Sequence, residues 1–269
     1  MEITFENIIL PKIIYKYRDW NIPEHQRILT HNEIYFSSPR GFKNEYECNL
    51  PKDYDSVTQD MLYKYFYQSS LNEGKTEKEK DEIASEMVKN SPFHLKSHRV
   101  CVEQLFKETL YSRLSIFCVS EHNNNLELWN KFGANQTGFC VGINPIQMFK
   151  SSDTFGSGGK VHYYPIKTPP KIRPFCFSEC EKIEDMLKVI YNLPDSLKEE
   201  NEYRLTKTDI EKRAFTIPSK CFEELILGSK ISERNKIEIV SIVKTNLPNC
   251  LVYQAYYDIN KKTFTFEKE

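Results

Sequence analysis

No stretch of this sequence comes near the roughly 20 consecutive apolar residues that a helix needs to cross a bilayer. The first ten residues, MEITFENIIL, set acidic side chains ahead of a short apolar run, whereas a secretory leader needs a basic start and a longer apolar core. Net charge is −1, so no global field draws the chain to nucleic acid or a membrane, and any anion site must be a local cluster of Arg and Lys. There is no G-x-S-x-G, no H-E-x-x-H and no G-x-G-x-x-G, which removes the common hydrolase, zincin and dinucleotide-fold readings. FGSGGK at 155–160 lacks the Lys-Ser/Thr ending of a phosphate-binding loop and is expected to be a turn. No pair of closely spaced cysteines of the C-x-x-C type occurs, although His94, His98 and Cys101, and separately Cys176 and Cys180 with His162 upstream, share spacings that invite a metal reading. The expectation is no metal.

What is present is a chain able to bury a large aromatic core, with 16 Tyr and 17 Phe in 269 residues. IIYKYR (13–18) and EIYFSS (33–38) read as strands, with a short helix from Pro23 through Leu29 between them. Residues 51–113 carry helical spacing instead, with Leu62, Tyr65 and Phe66, then a possible capping box at Thr76 and Glu79, then Val102, Leu105, Phe106 and Leu110. Strands return at 114–121 and 137–144 around a short helix in NNNLELWNKFG. Farther on, Ser178 heads a helix, ENEYRLTK, RAFTIP and FEELILG read as strands, a helix follows Ser232, and LVYQAYYDINKKTFTFE (251–267) reads as a hairpin. Strands do not alternate strictly with helices, so the class is α+β: a single domain over 1–269 with a helical insertion at 51–113.

In IIYKYR, Tyr15 and Tyr17 fall on one strand face and Lys16 and Arg18 on the other. Arg18 can hold a phosphate in a two-pronged grip, though an ordinary amphipathic strand accounts for the same pattern. In NEYRL, Glu202 and Arg204 share a face, either as a surface pair or as a carboxylate facing a cleft for acid–base or oxocarbenium-stabilising work. With three charges on that face (Glu200, Glu202 and Arg204), entry into an apolar core is not expected.

Six segments in order resemble the bacterial family known as domain of unknown function 2971. They are Ile14 to Arg18; Ile28, Leu29 and IYFSSP ending at Pro39; Cys118 to Ser120; Leu128, Trp129, Phe132 and Gly133 followed by Gly138 to Gly142; Glu200, Glu202, Tyr203 and Arg204; and Pro218 followed by EELILGSKIS. The chain departs from the family's pattern at Lys43 and Asn44, where Asn-Asp-Pro is usual, and at Lys131, where the family has His. The family's layout in turn resembles the ADP-ribosyltransferase fold, a split and mostly antiparallel sheet with Arg or His on the first strand, Ser or Tyr on a middle strand and Glu on a late one.

That resemblance implies an NAD-using enzyme, an ADP-ribosyltransferase or NAD glycohydrolase, in a bacterial toxin or antiphage defence effector, with a protein or nucleic-acid acceptor. Arg18 would hold the pyrophosphate, Ser120 would position ribose and Glu202 would be catalytic. Tyr17, Ser37, Ser38, Trp129 and Arg204 would complete the NAD site, with Arg18 across the cleft from Glu202. Trp129 and Phe132 would be buried behind it. On these terms Glu202→Gln keeps the fold and slows turnover. Two rivals stand beside it: a non-catalytic binding or sensor module of a defence system, and a metal-dependent nuclease using carboxylates such as Glu45 and Glu47.

Free thiols in apolar company, as at IFCVS and GFCVG, together with the missing leader, point to a reduced, cytoplasmic protein. Denatured without reductant, the chain is expected to titrate all 8 of its cysteines as thiols. A shortfall of several would mean disulfides and overturn that compartment.

Overall fold

A computed structural model describes residues 10–69, 73–151, 156–208 and 212–269. Contacts divide the chain into two compact units: Met1–Gly41, Arg113–Val161 and Ser196–Glu269 form the first, and Phe42–Ser112 with His162–Asp195 the second. The second unit therefore takes in the expected helical insertion and also a later segment that periodicity did not join to it. Among the described residues no helix is long and apolar enough to cross a membrane.

The second unit holds helices α2 (Gln59–Tyr67), α3 (Glu77–Lys89), α4 (Lys96–Arg113) and α7 (Glu179–Tyr191), with a short parallel pair of strands, β6 (His162–Tyr164) and β7 (Asn192–Pro194). Its starts follow from capping chemistry. Thr76 and Glu79 form the full reciprocal box on α3, and the Ser178 hydroxyl accepts from the Glu181 amide at the head of α7. Tyr54, Phe66, Ala84, Phe93 and Phe175 make its core. On α4, Leu105 and Phe106 are exposed, although their spacing had counted them with the apolar stripe.

The first unit is built on an eight-stranded sheet in the order β12-β11-β10-β4-β1-β3-β8-β5. The strands are β1 (Ile14–Arg18), β3 (Leu114–Ser120), β4 (Phe139–Ile143), β5 (Ser157–Lys160), β8 (Glu202–Thr208), β10 (Phe222–Leu227), β11 (Leu251–Asp258) and β12 (Thr263–Lys268). All neighbours are antiparallel except β10 and β11. Helices α1 (Pro23–Thr30), α5 (Leu126–Lys131), α6 (Pro145–Lys150) and α8 (Glu233–Asn246) accompany it. A small antiparallel pair, β2 (Glu33–Tyr35) with β9 (Ala214–Thr216), lies apart from the main sheet.

Two expectations are corrected here. The strand foreseen over 33–38 stops at Tyr35; Ser37 instead makes an isolated bridge to Ile116, and Pro39–Gly41 turns away as a 3-10 segment. The glycine-rich stretch foreseen as a turn is β5, an edge strand, over Ser157–Lys160, while its Phe155 lies outside the described residues. Glycine suits that edge because a side chain at Gly158 would press on Leu205 Cδ2 at 2.9 Å.

The main core lies on the sheet face that carries Ile14, Val141, Phe139, Phe117, Val119, Tyr203 and Leu205, against Leu29 of α1 and Ile239 and Val243 of α8. The opposite face gathers a smaller cluster of Tyr17, Leu128, Trp129, Cys140, Ile226 and Ala255. Alternation along β1 explains the division, since each residue pairs in register with β4 from Ile14↔Ile143 to Arg18↔Phe139.

The link from α5 to β4 is unusual. Ala134, Asn135 and Gln136 all lie in the left-handed region, at φ 50°, 53° and 72°. The turn is held by bonds from the Gln136 amide to the Trp129 carbonyl and from the Ser229 hydroxyl to Gln136 Oε1 at 2.6 Å. It delivers Gly138 so close to β1 that a Cβ there would sit 2.1 Å from the Arg18 carbonyl oxygen. Trp129 is fully buried, as its spacing foretold, but Phe132 is 42% exposed, because it ends the helix as its C-cap. Trp129→Ala is expected to cost about 3 kcal/mol or more in a denaturant melt; an unchanged midpoint would mean that α5 is peripheral.

Candidate functional site

The first and third strands of the sheet barely touch. β1 and β3 share one register pair, Tyr15↔Ser120, whereas β1 meets β4 along its whole length. The edge of β3 is next engaged at Ile116, by Ser37. Between those two points lie four steps of β3, about 13 Å at strand rise, in which the ladder to β1 is missing. One side chain spans this parting: the Lys16 amine donates to the Cys118 carbonyl.

Lys16 and Arg18 leave β1 on the same face and are both half-buried. Neither has a carboxylate within ion-pair distance among the described residues; the Arg18 guanidinium makes only a long contact, 3.5 Å, with the Tyr17 carbonyl. Burial first, and then the Arg18 charge, push the Lys16 amine down to about 7. Burial lowers Arg18 to about 10. His25, on the first turn of α1, is lowered too, by burial and then by Arg18, with Lys16 adding to it. Its Nδ1 accepts from the Asp19 amide, which leaves Nε2 as the ring's second polar atom. Lys16 also lies 5.2 Å from the centre of the Phe117 ring. Arg18 thus depresses both Lys16 and His25, and the three basic groups, with no ion-paired carboxylate among the described residues, form a local electropositive cluster.

Glu202 and Arg204 form something different. They lie on β8 opposite Ser120 and Cys118. Arg204 is 0% and Glu202 7% exposed, and the guanidinium grips both carboxylate oxygens, Nε to Oε1 at 2.8 Å and Nη2 to Oε2 at 3.1 Å. The expectation that this charged face avoids the interior is therefore corrected: the pair enters the protein because each charge neutralises the other. The Cys118 thiol is driven well above its usual range by burial first and then by Glu202, toward which it hydrogen-bonds. Glu200, raised by burial, is paired with Lys131 at 2.6 Å, so the lysine found where the resembled family has His fastens the end of α5 to the segment before β8.

The remaining sequence candidates have structural partners. Ser120 is buried and donates to the Glu200 or Asn201 carbonyl while accepting from the His122 amide. Tyr17 is buried on the opposite face from Arg18, donates to the His122 carbonyl at 2.7 Å, and meets Trp129 edge-on with ring centres 5.1 Å apart. The Trp129 ring nitrogen donates to the Asn123 carbonyl. Ser37 and Ser38 are half-buried, Ser37 at the far end of the parting and Ser38 at the head of the Pro39–Gly41 turn. The structure thus brings Ser120, Glu202 and Arg204 together. It does not aim Arg18 at them: Tyr15, Ser120 and Glu202 stand in one cross-strand row, and Arg18, three residues beyond Tyr15, leaves by the other face.

Sequence reading named Lys16 only as Arg18's neighbour and passed over His25. Two cations two apart on a strand, with no acidic residue between or beside them before Asp19, was the signal available for Lys16; nothing local marks His25. Among the described residues no group of three His, Cys, Asp or Glu side chains is arranged to hold a metal ion. No family model matches the sequence, and neither a curated protein nor a solved structure shows significant similarity to it.

The buried pair revises what Glu202→Gln should do. Neutralising the carboxylate leaves Arg204 charged inside the protein, so the variant is expected to lose about 3 kcal/mol in chemical denaturation, and adding Arg204→Met should recover part of it. A single variant as stable as the parent would show that the pair is open to water.

Proposed function

We propose that this chain binds a diphosphate-bearing nucleotide of the NAD class at the parting of β1 and β3. The observation that carries the reading is the pair Lys16 and Arg18: two desolvated cations on one strand face with no carboxylate in ion-pair distance among the described residues. Unpaired buried charge is costly and persists where a ligand completes it. The strained turn at Ala134–Gln136 and the close seat of Gly138 against the Arg18 carbonyl support it, because they fix the backbone from which the guanidinium extends. The sequence resemblance to domain of unknown function 2971, and through it to the ADP-ribosyltransferase fold, supports NAD as the nucleotide.

Binding without turnover is the version that the site's geometry favours. Both oxygens of Glu202 are occupied by Arg204, and Glu202 and Arg18 leave the sheet by opposite faces. The Arg204 fork takes one lone pair of each oxygen and neutralises the charge that would stabilise a developing oxocarbenium ion. Such a protein would serve as a sensor or regulatory module in a bacterial defence system. Glycosidic cleavage of NAD, by ADP-ribosyl transfer or glycohydrolysis, is the second reading. It rests on the reach of the Glu202 charge to Lys16 through the parting, which links the two sides electrostatically.

Calorimetric titration with NAD and ADP-ribose tests the proposal. Both should bind the parent chain, and Arg18→Ala should weaken them by about 10-fold to 100-fold, the scale of losing a hydrogen-bonded charge contact. Binding that is absent, or indifferent to Arg18, would refute it. NAD recovered intact after incubation fits the sensor; released nicotinamide would move the assignment to turnover.

A further inference from the structure

We propose that Lys16 determines the specificity of this site, admitting a diphosphate in preference to a single phosphate or a carboxylate, and that the ligand brings a proton with it. The inference rests on the nucleotide-binding reading above and adds to it the role of a second cation. Lys16 and Arg18, two residues apart on one strand face, stand about 7 Å apart at their Cα atoms. Side chains of that length converge easily on two neighbouring phosphoryl groups. A single phosphate or carboxylate group would be taken by Arg18, whose planar fork suits it better than an ammonium does, and could not reach both cations as two linked phosphoryl groups can. It would leave Lys16 donating to the Cys118 carbonyl across the parting.

The charged and titratable groups that act on Lys16 divide: Arg18 opposes its charge, whereas Cys118, Glu202 and Glu200 favour it. From its own strand comes Arg18, which opposes a second positive charge. From α1 comes His25, whose Nδ1 is held by the Asp19 amide, and which Lys16 and Arg18 both depress. From β3 comes the Cys118 thiol, itself pushed upward and so uncharged. From β8 and the segment before it, on the opposite face, Glu202 and Glu200 act through the sheet and raise Lys16, although Arg204 and Lys131 already hold those carboxylates. The balance leaves the free amine poorly protonated, at about 7. A second phosphoryl group beside the first cancels the opposition from Arg18 and supplies the acceptor that burial removed. Lys16 is then protonated in the complex.

The sign of the pH effect follows. Free Lys16 loses its proton as pH rises through about 7, while in the complex it keeps the proton to higher pH. Affinity is therefore greatest below that point and declines above it, by up to about tenfold per pH unit. His25, shifted in the same direction, adds to the decline at the acid end.

ADP-ribose is the probe, because its diphosphate diester keeps its charge across the range. Titrated into the parent chain, it should bind roughly 50-fold more weakly at about pH 9 than at about pH 6.5, with uptake of about one proton per ligand near pH 8, read from calorimetry in buffers of different ionisation heat. Lys16→Met should bind more weakly at the acid end and vary less than about 3-fold over the same range. It should also lose most of the parent's preference for ADP-ribose over adenosine monophosphate. If Lys16→Met does not fold, the proton uptake of the parent decides alone. Binding that needs Arg18 but shows a flat profile and no proton uptake would overturn this inference and leave the binding reading standing. Binding that does not need Arg18, or none at any pH, would remove both.

Discussion

Two cations on one face of a five-residue strand, with no ion-paired carboxylate among the described residues, set the terms for the surrounding structure. Folding normally pairs or hydrates such groups, because an uncompensated charge in a low-dielectric setting is among the more costly things a protein can keep. The same molecule shows the usual solution two strands away, where Arg204 and Glu202 neutralise each other in the interior. The contrast is informative. A sequence that can build a well-made buried ion pair on β8 gives Lys16 and Arg18 none among the described residues, at the place where the ladder between β1 and β3 is missing.

The parts around β1 make sense as support for that opening. β4 holds one flank of β1 in full register, so the strand cannot shift. The left-handed turn before β4 and the bare Gly138 bring the neighbouring backbone against the Arg18 carbonyl, closer than any side chain would allow. Tyr17, wedged on Trp129 and bonded to the His122 carbonyl, anchors the opposite face. On the other flank Ser120 ties the end of β3 to the residues before β8, and Ser37 catches it again at Ile116. The missing ladder is thus bounded at both ends, and the Lys16 amine stands within it.

Much of this was legible in the sequence, for identifiable reasons. The alternation in IYKYR, the capping box at Thr76 and Glu79 and the Ser178 cap depend on local chemistry, and local chemistry is written locally. The eight-stranded, mostly antiparallel sheet agrees with the α+β class. What sequence reading missed depends on partners distant in the chain. Glycines at 158 and 159 resemble a turn until β8 is there to pair with them. Glu202 and Arg204 look like a solvated face until the fold buries them and the two pair with each other. The facing of Arg18 and Glu202 turned on register parity across three strands, where a single residue reverses the outcome. His25 approaches Arg18 only because α1 folds back on the strand that precedes it.

The central claim is that the opening beside Lys16 and Arg18 receives a diphosphate. A crystal structure of the chain grown with ADP-ribose tests it most directly. The account predicts diphosphate density within hydrogen-bonding distance of the Arg18 guanidinium and the Lys16 amine, with the Lys16 bond to the Cys118 carbonyl given up or shared and the Glu202–Arg204 pair unchanged. Ligand density on the other face of the sheet, against Ser120 and an opened Glu202–Arg204 pair, would contradict it.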